Sequence, residues 1–224
     1  MSKKMSQNPK IGRRSLSERF EHLRQVISGE RFLHMKGLNN DLPFYICDYQ
    51  ASEAVEMQRI QRQLVSTLAG MHVDCLGGRG INVLEINLYD LSVALLKARE
   101  GSSEGTSLWD QIIAAEPDLE TDSLLELLQN VLDPRQHLIQ AIAERIQNAE
   151  FDVLFLSGIG EVFPYIRSHN VLNNLQSTAK TKPTVMFFPG EYRHSLQQGA
   201  SLELFGRLHD DKYYRAFNIF DTQV

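Results

Sequence analysis

The chain has 224 residues, of which 42% are hydrophobic and 23% charged, with a formal net charge of -5. This is ordinary globular composition with ample material for a core, and it excludes a collagen-like fibre or a mostly disordered chain. No stretch reaches the roughly 18 uninterrupted apolar residues of a membrane span, and no apolar signal core opens the chain, so neither a membrane nor a secreted protein is expected.

The charge is uneven. Residues 1–14 carry Lys3, Lys4, Lys10, Arg13 and Arg14 without an acid, whereas 101–150 carries ten acids against Arg135 and Arg145. The expected organisation is a flexible basic N-terminal tail over 1–14, then a single domain over 15–224 with a helical acidic excursion around 101–150. A body this acidic argues against non-specific DNA binding, because phosphate contacts need a continuous basic face. Cys47 and Cys75 sit in no CxxC motif and read as reduced cytosolic thiols.

Along the chain, Ser15 and Glu18 form a capping box before Leu16, Phe20, Leu23, Val26 and Ile27 at helical spacing, ending at Gly29. Leu42 to Cys47 reads as strand one, 53–69 as an amphipathic helix, Ile81 to Leu88 as strand two and Leu91 to Lys97 as helix. The turn-rich stretch 101–121 reads as a surface excursion, followed by helices over 122–132 and 134–149 with Asp133-Pro134 at their junction. Val153 to Leu156, Val185 to Phe188 and Ala216 to Phe220 read as strands three, four and five. The repeated order of strand and helix predicts a three-layer α/β/α domain with a mainly parallel sheet of about five strands.

Such sheets gather functional groups beyond the carboxyl ends of their strands. Asp48, Asp90, Glu161 and Glu191 each follow a predicted strand and are expected to share that edge. Four carboxylates there could bind a metal or perform acid–base work, although acids after strands more commonly cap the helices that follow and satisfy loop amides. The sheet resembles those that bind nucleotides, yet the sequence holds no G-x-x-x-x-G-K-[ST] loop. Gly158-x-Gly160 has Phe163 where a third glycine belongs, and Gly78-x-Gly80 precedes a strand instead of following one. The seven histidines show no HxxxH or HExxH spacing, Ser157 lacks the first glycine of a nucleophile elbow, and Cys47 lies inside an apolar strand. No catalytic residue, metal or cofactor is therefore assigned.

The segments Phe163–Gln176 and Arg207–Arg215 mix basic, polar and aromatic groups as protein interfaces do. The candidate partner-binding residues are Arg167, His169, Asn173, Asn174, Arg207, Tyr213, Tyr214 and Arg215.

Several motifs occur in order along the chain: Leu42-Pro43-Phe44-Tyr45-Ile46, Ile86-Asn87-Leu88-Tyr89-Asp90, and Gly158 to Pro164. Arg167-Ser168-His169, Leu172 to Leu175, Phe188 to Tyr192, Leu204 to Leu208 and Tyr213 to Phe217 follow. Together they resemble the BrxB family, a small core component of BREX (bacteriophage exclusion) systems, across roughly 15–220. The resemblance implies antiphage defence through a non-catalytic adaptor that supports host DNA methylation and phage restriction by binding the PglZ component. Other BREX subunits are possible partners; direct nucleic-acid contact and a membrane are not expected, and the implied location is cytoplasmic. The alternative is a ligand- or metal-binding sensor or enzyme using Asp48, Asp90, Glu161, Arg167, His169 and Glu191. A third reading has the basic tail touching DNA.

Overall fold

Successive side chains of a strand point to opposite faces, so the unbroken apolar runs of this sequence feed two cores at once. The computed structural model describes residues 15–37, 43–175, 178–195, 199–205, 208–209 and 216–223. The basic tail and Leu42 lie outside that set. In chain order the elements are α1 (Leu16–Ser28), α2 (Glu30–Leu33), β1 (Phe44–Tyr49), α3 (Ala54–Ala69), β2 (Val83–Asn87) and α4 (Leu88–Ala98). Then come α5 (Leu108–Ala115), α6 (Thr121–Val131), α7 (Ile139–Gln147), β3 (Val153–Ser157) and α8 (Ser168–Leu175). The chain finishes with β4 (Thr184–Ser195), β5 (Gly199–Leu204), β6 (Leu208–His209) and β7 (Phe217–Asn218).

β2, β3, β4, β1 and β7 lie side by side in that order, all parallel, with Glu85 opposite Phe155, Phe155 opposite Val185, Cys47 opposite Phe187 and Tyr45 opposite Phe217. On one face Tyr45, Cys47, Phe155, Val185 and Phe187 pack under α1 and α3 through Leu23, Ile27, Met57, Leu64 and Leu68. On the other, Phe44, Ile46, Leu154, Leu156, Met186 and Phe188 pack under α4, α7 and α8 through Leu91, Leu96, Ile142, Val171 and Leu172. The expected three layers and parallel sheet are present.

Local signals explain most element ends. Ser15 and Glu18 cap α1 reciprocally, and the Gln136 amide donates to Asp133 Oδ1 at 2.9 Å. The turn after Pro134 is of π type and α7 starts five residues later than the spacing suggests. The Gly77–Gly80 loop enters β2 at the amino edge of the sheet, where Arg79 donates two bonds to Asp152 at 2.6 and 2.9 Å. It therefore lies at the end of the strands opposite the carboxyl edge.

The structure corrects several expectations. The excursion at 101–121 holds a full helix, α5, capped by Ser107 and Asp110 in a second capping box. Strand five shrinks to Phe217–Asn218 and passes at once into a tight turn over Ile219–Asp221. Strand four does not stop at Phe188: β4 runs on to Ser195, 12 residues in all, and folds back as an antiparallel ribbon with β5 and β6. Asp48 does not follow β1 but belongs to it, fully buried.

Candidate functional site

Four groups were expected at the carboxyl edge of the sheet, and the structure divides them. Asp48 is the fifth of the six buried residues of β1, one residue from its end, and its carboxylate is used internally. Its Oδ2 accepts from the Tyr192 amide at 3.0 Å and its Oδ1 from Asn218 Nδ2 at 3.0 Å, which ties β1 to the β4 extension and to β7. Burial pushes its pKa up to about 6, against the pull of those two donors. Glu191 sits in the extension of β4 and pairs with Arg193 at 2.8 Å. Asp48 thus spends both carboxylate oxygens inside the fold, whereas Glu191 makes a surface ion pair.

Asp90 and Glu161 do converge. Both are exposed and line one cleft of about 490 Å³ at the carboxyl edge, with Gln58, Gln61 and Arg62 of α3, Glu85 and Asn87 of β2, Arg145 of α7, and Ser157 and Gly158. Its floor is Tyr49, Met57 and Phe187. Gln61 Nε2 donates to Glu85 at 3.0 Å, and burial followed by the nearby Glu161 charge pushes the Tyr49 hydroxyl upward. Sequence reading missed Gln61, Arg62, Glu85 and Arg145, because they come from three separated elements and form no local motif.

The places where a parallel sheet usually cradles phosphate are occupied by the chain itself. At α4, Asn87 Oδ1 accepts from the Tyr89 and Asp90 amides at 2.9 and 3.2 Å. Gly158, at φ 77°, lets β3's loop press against this cap: a Cβ there would stand 2.3 Å from Asn87 Oδ1. After β1, Glu53 accepts from the Gln50 amide at 3.2 Å and pairs with the buried Arg19 at 2.8 Å. Gly160 is covered by Pro189 and Phe205. Among the described residues, no three His, Cys, Asp or Glu side chains gather closely enough to hold a metal ion. Cys47 is sealed in β1, where burial first and Asp48 second raise its thiol pKa well above the usual range.

Of the expected partner-binding residues, Arg167 and Asn173 are exposed at the start and on the outer side of α8, while His169 and Asn174 are half-buried. Asn174 Nδ2 donates to the Asn170 carbonyl at 2.6 Å, a local role. Arg207, Tyr213, Tyr214 and Arg215 lie outside the described residues. A larger cavity of about 730 Å³ opens between α1–α2 and β7, with Phe32, Tyr45 and Phe217 in a run of ring contacts at 4.7 and 5.8 Å. No described helix is long and apolar enough to cross a membrane.

The family model described as BREX protein BrxB matches residues 84–219, from β2 to the turn after β7. The chain belongs to the BrxB family. A BrxB-family relative from Bacillus cereus (strain H3081.97), named BREX protein BrxB, is 32% identical over 211 residues, covering 93% of this chain and 99% of its own. Another of the same name, from Escherichia coli O9:H4 (strain HS), is 25% identical over 205 residues, 91% of each chain. No solved structure matches. The BrxB match takes in β2, β3, β4 and β7 of the parallel sheet but not β1, together with the acidic excursion, α8 and the β4–β5 ribbon.

Proposed function

We propose that this chain is a non-catalytic adaptor of a BREX antiphage system, which supports host DNA methylation and phage restriction by binding the PglZ component. Membership of the BrxB family supports the system; the occupied carboxyl edge supports the role. The observation that carries it is that Asn87 fills the entrance of α4 and Glu53 closes the turn leading into α3, with Asp48 held by the Tyr192 amide. A fold that ordinarily uses this edge for a ligand has here committed it to internal hydrogen bonds. The exposed Arg167 and Asn173, with the segment 207–215, form the first proposed contact surface.

The test is a pull-down of the tagged chain from cells carrying the whole defence cluster. Stoichiometric recovery of the PglZ-type protein is expected, weakened at least tenfold by Arg167→Glu or Tyr214→Ala with the melting temperature unchanged. Recovery of the chain alone would contradict the reading. The cleft of about 490 Å³ favours a second reading, a ligand sensor, because Arg62, Asp90, Arg145 and Glu161 all line it. A ligand there would raise the melting temperature by mass action in a screen of nucleotides, amino acids and divalent cations. A flat screen would remove this second reading.

A further inference from the structure

The segment joining β2 to β3 is longer than covering the sheet requires. α4 and α7 already bury Leu91, Leu96, Ile139 and Ile142 against it, and α5 and α6 are inserted between them. α6 has the sequence Thr-Asp-Ser-Leu-Leu-Glu-Leu-Leu-Gln-Asn-Val, with four leucines in eleven residues, and buries none of them. Leu124, Leu127 and Leu128 lean partly on the core, but Leu125 belongs to neither apolar cluster. Nor does Ile113 of α5, which is 46% exposed, and Trp109 one turn earlier is only partly covered. An eleven-residue helix whose leucines are only partly covered gains less from packing than one with a buried face, and helices of this length depend on that packing.

The charge around this face has one sign. From Leu108 to Val131 there are six acids, every one exposed, and not a single Lys or Arg. The nearest described cations are held at the root of the unit: Lys97 Nζ lies 5.7 Å from the Trp109 ring centre, and Arg99 Nη1 donates to the Val131 carbonyl at 2.8 Å. An apolar helix face rimmed by exposed carboxylates disfavours an acidic surface as its cover. It also excludes nucleic acid, whose phosphates the rim repels. What fits is the mirror pattern, apolar residues flanked by Lys and Arg at helical spacing.

We propose that α5 and α6 form a docking surface for a basic amphipathic helix of a protein partner, with Trp109, Ile113 and Leu125 as apolar anchors and Asp118, Glu120 and Glu126 as the charged rim. This rests on the adaptor reading and deepens it: a linker needs two surfaces, and this one stands apart in sequence and in charge from Arg167 and Asn173 on α8. α5 packs on α4, and through it the unit joins the body of the domain.

The test uses the full chain co-expressed with the other subunits of its cluster. Carbodiimide treatment joins carboxylates directly to amines in contact, so cross-links are expected from residues 110–126 to lysines of a single basic helical segment. Amide exchange of 108–131 should slow in the complex. The variant Asp118→Lys/Glu120→Lys/Glu126→Lys should lose at least tenfold in affinity and most of the salt dependence. Ile113→Ser/Leu125→Ser should lose affinity with its salt dependence kept. Undiminished binding by both variants, or cross-links from this segment to a second copy of the chain, would overturn the proposal and leave the adaptor reading standing. Failure of the unaltered chain to bind any subunit would overturn both.

Discussion

Asp48 shows how little a residue's position in sequence says about its use. A carboxylate closing an apolar run was a fair candidate for the working edge, but its two donors come from residues 144 and 170 positions away. No local pattern announces contacts of that range. The consequence is measurable. The folded pKa of about 6 stands above the ordinary 3.8, so the native state binds the proton more tightly than the unfolded chain. The resulting stabilisation is complete below about pH 4 and is lost as pH rises to about 6, an amount of about 3 kcal/mol. Asp152 works in the opposite direction, since Arg79 lowers its pKa, so the wild-type curve alone mixes the two. The difference between wild type and Asp48→Asn isolates the first: denaturation from pH 4 to 7 should show the variant gaining on wild type by up to about 3 kcal/mol as pH rises. A difference independent of pH would mean that Asp48 does not titrate in that window.

Elements were legible where local chemistry dictates them and obscure where pairing does. The capping box of Ser15 and Glu18 marks α1, and the apolar runs of β1, β3 and β4 mark a sheet covered on both faces. α5 carried the same kind of signal in Ser107-x-x-Asp110 before Ile112, but its flanking glycines and serines read as turn. Ser107 Oγ accepts from the Asp110 amide at 3.1 Å, so Ser107→Ala should cost about 1 kcal/mol. That corresponds to a melting temperature lower by roughly 2–4 °C, readable by calorimetry. No change would mean that α5 does not rely on its cap. The β4–β5 ribbon had no such signal. It exists because Gly190 admits the Glu203 carbonyl so closely that a Cβ would stand 2.2 Å from it, an approach visible only once the strands are paired. Gly190→Ala should therefore speed amide exchange across 190–204 more than across β3, and equal protection in both would contradict this account of the fold-back.

For the whole molecule, the sheet class was readable from the order of apolar runs, and the family from motifs spread along the chain. Two of the four expected edge carboxylates, Asp90 and Glu161, do meet, while Asp48 and Glu191 serve the ribbon. That division follows from β4 running on past Pro189, a tertiary decision no single strand records. The cleft at the carboxyl edge stays open beside it, and the exposed candidate surfaces are Arg167 with Asn173 of α8 and the acidic α5–α6 unit. The most direct measurement mixes the purified full chain with the purified PglZ-type protein of its own cluster at micromolar concentration, on size exclusion with light scattering. The adaptor account predicts one species whose mass is a whole-number sum of both chains, dissociating as salt rises. Two separate peaks at their individual masses would contradict it.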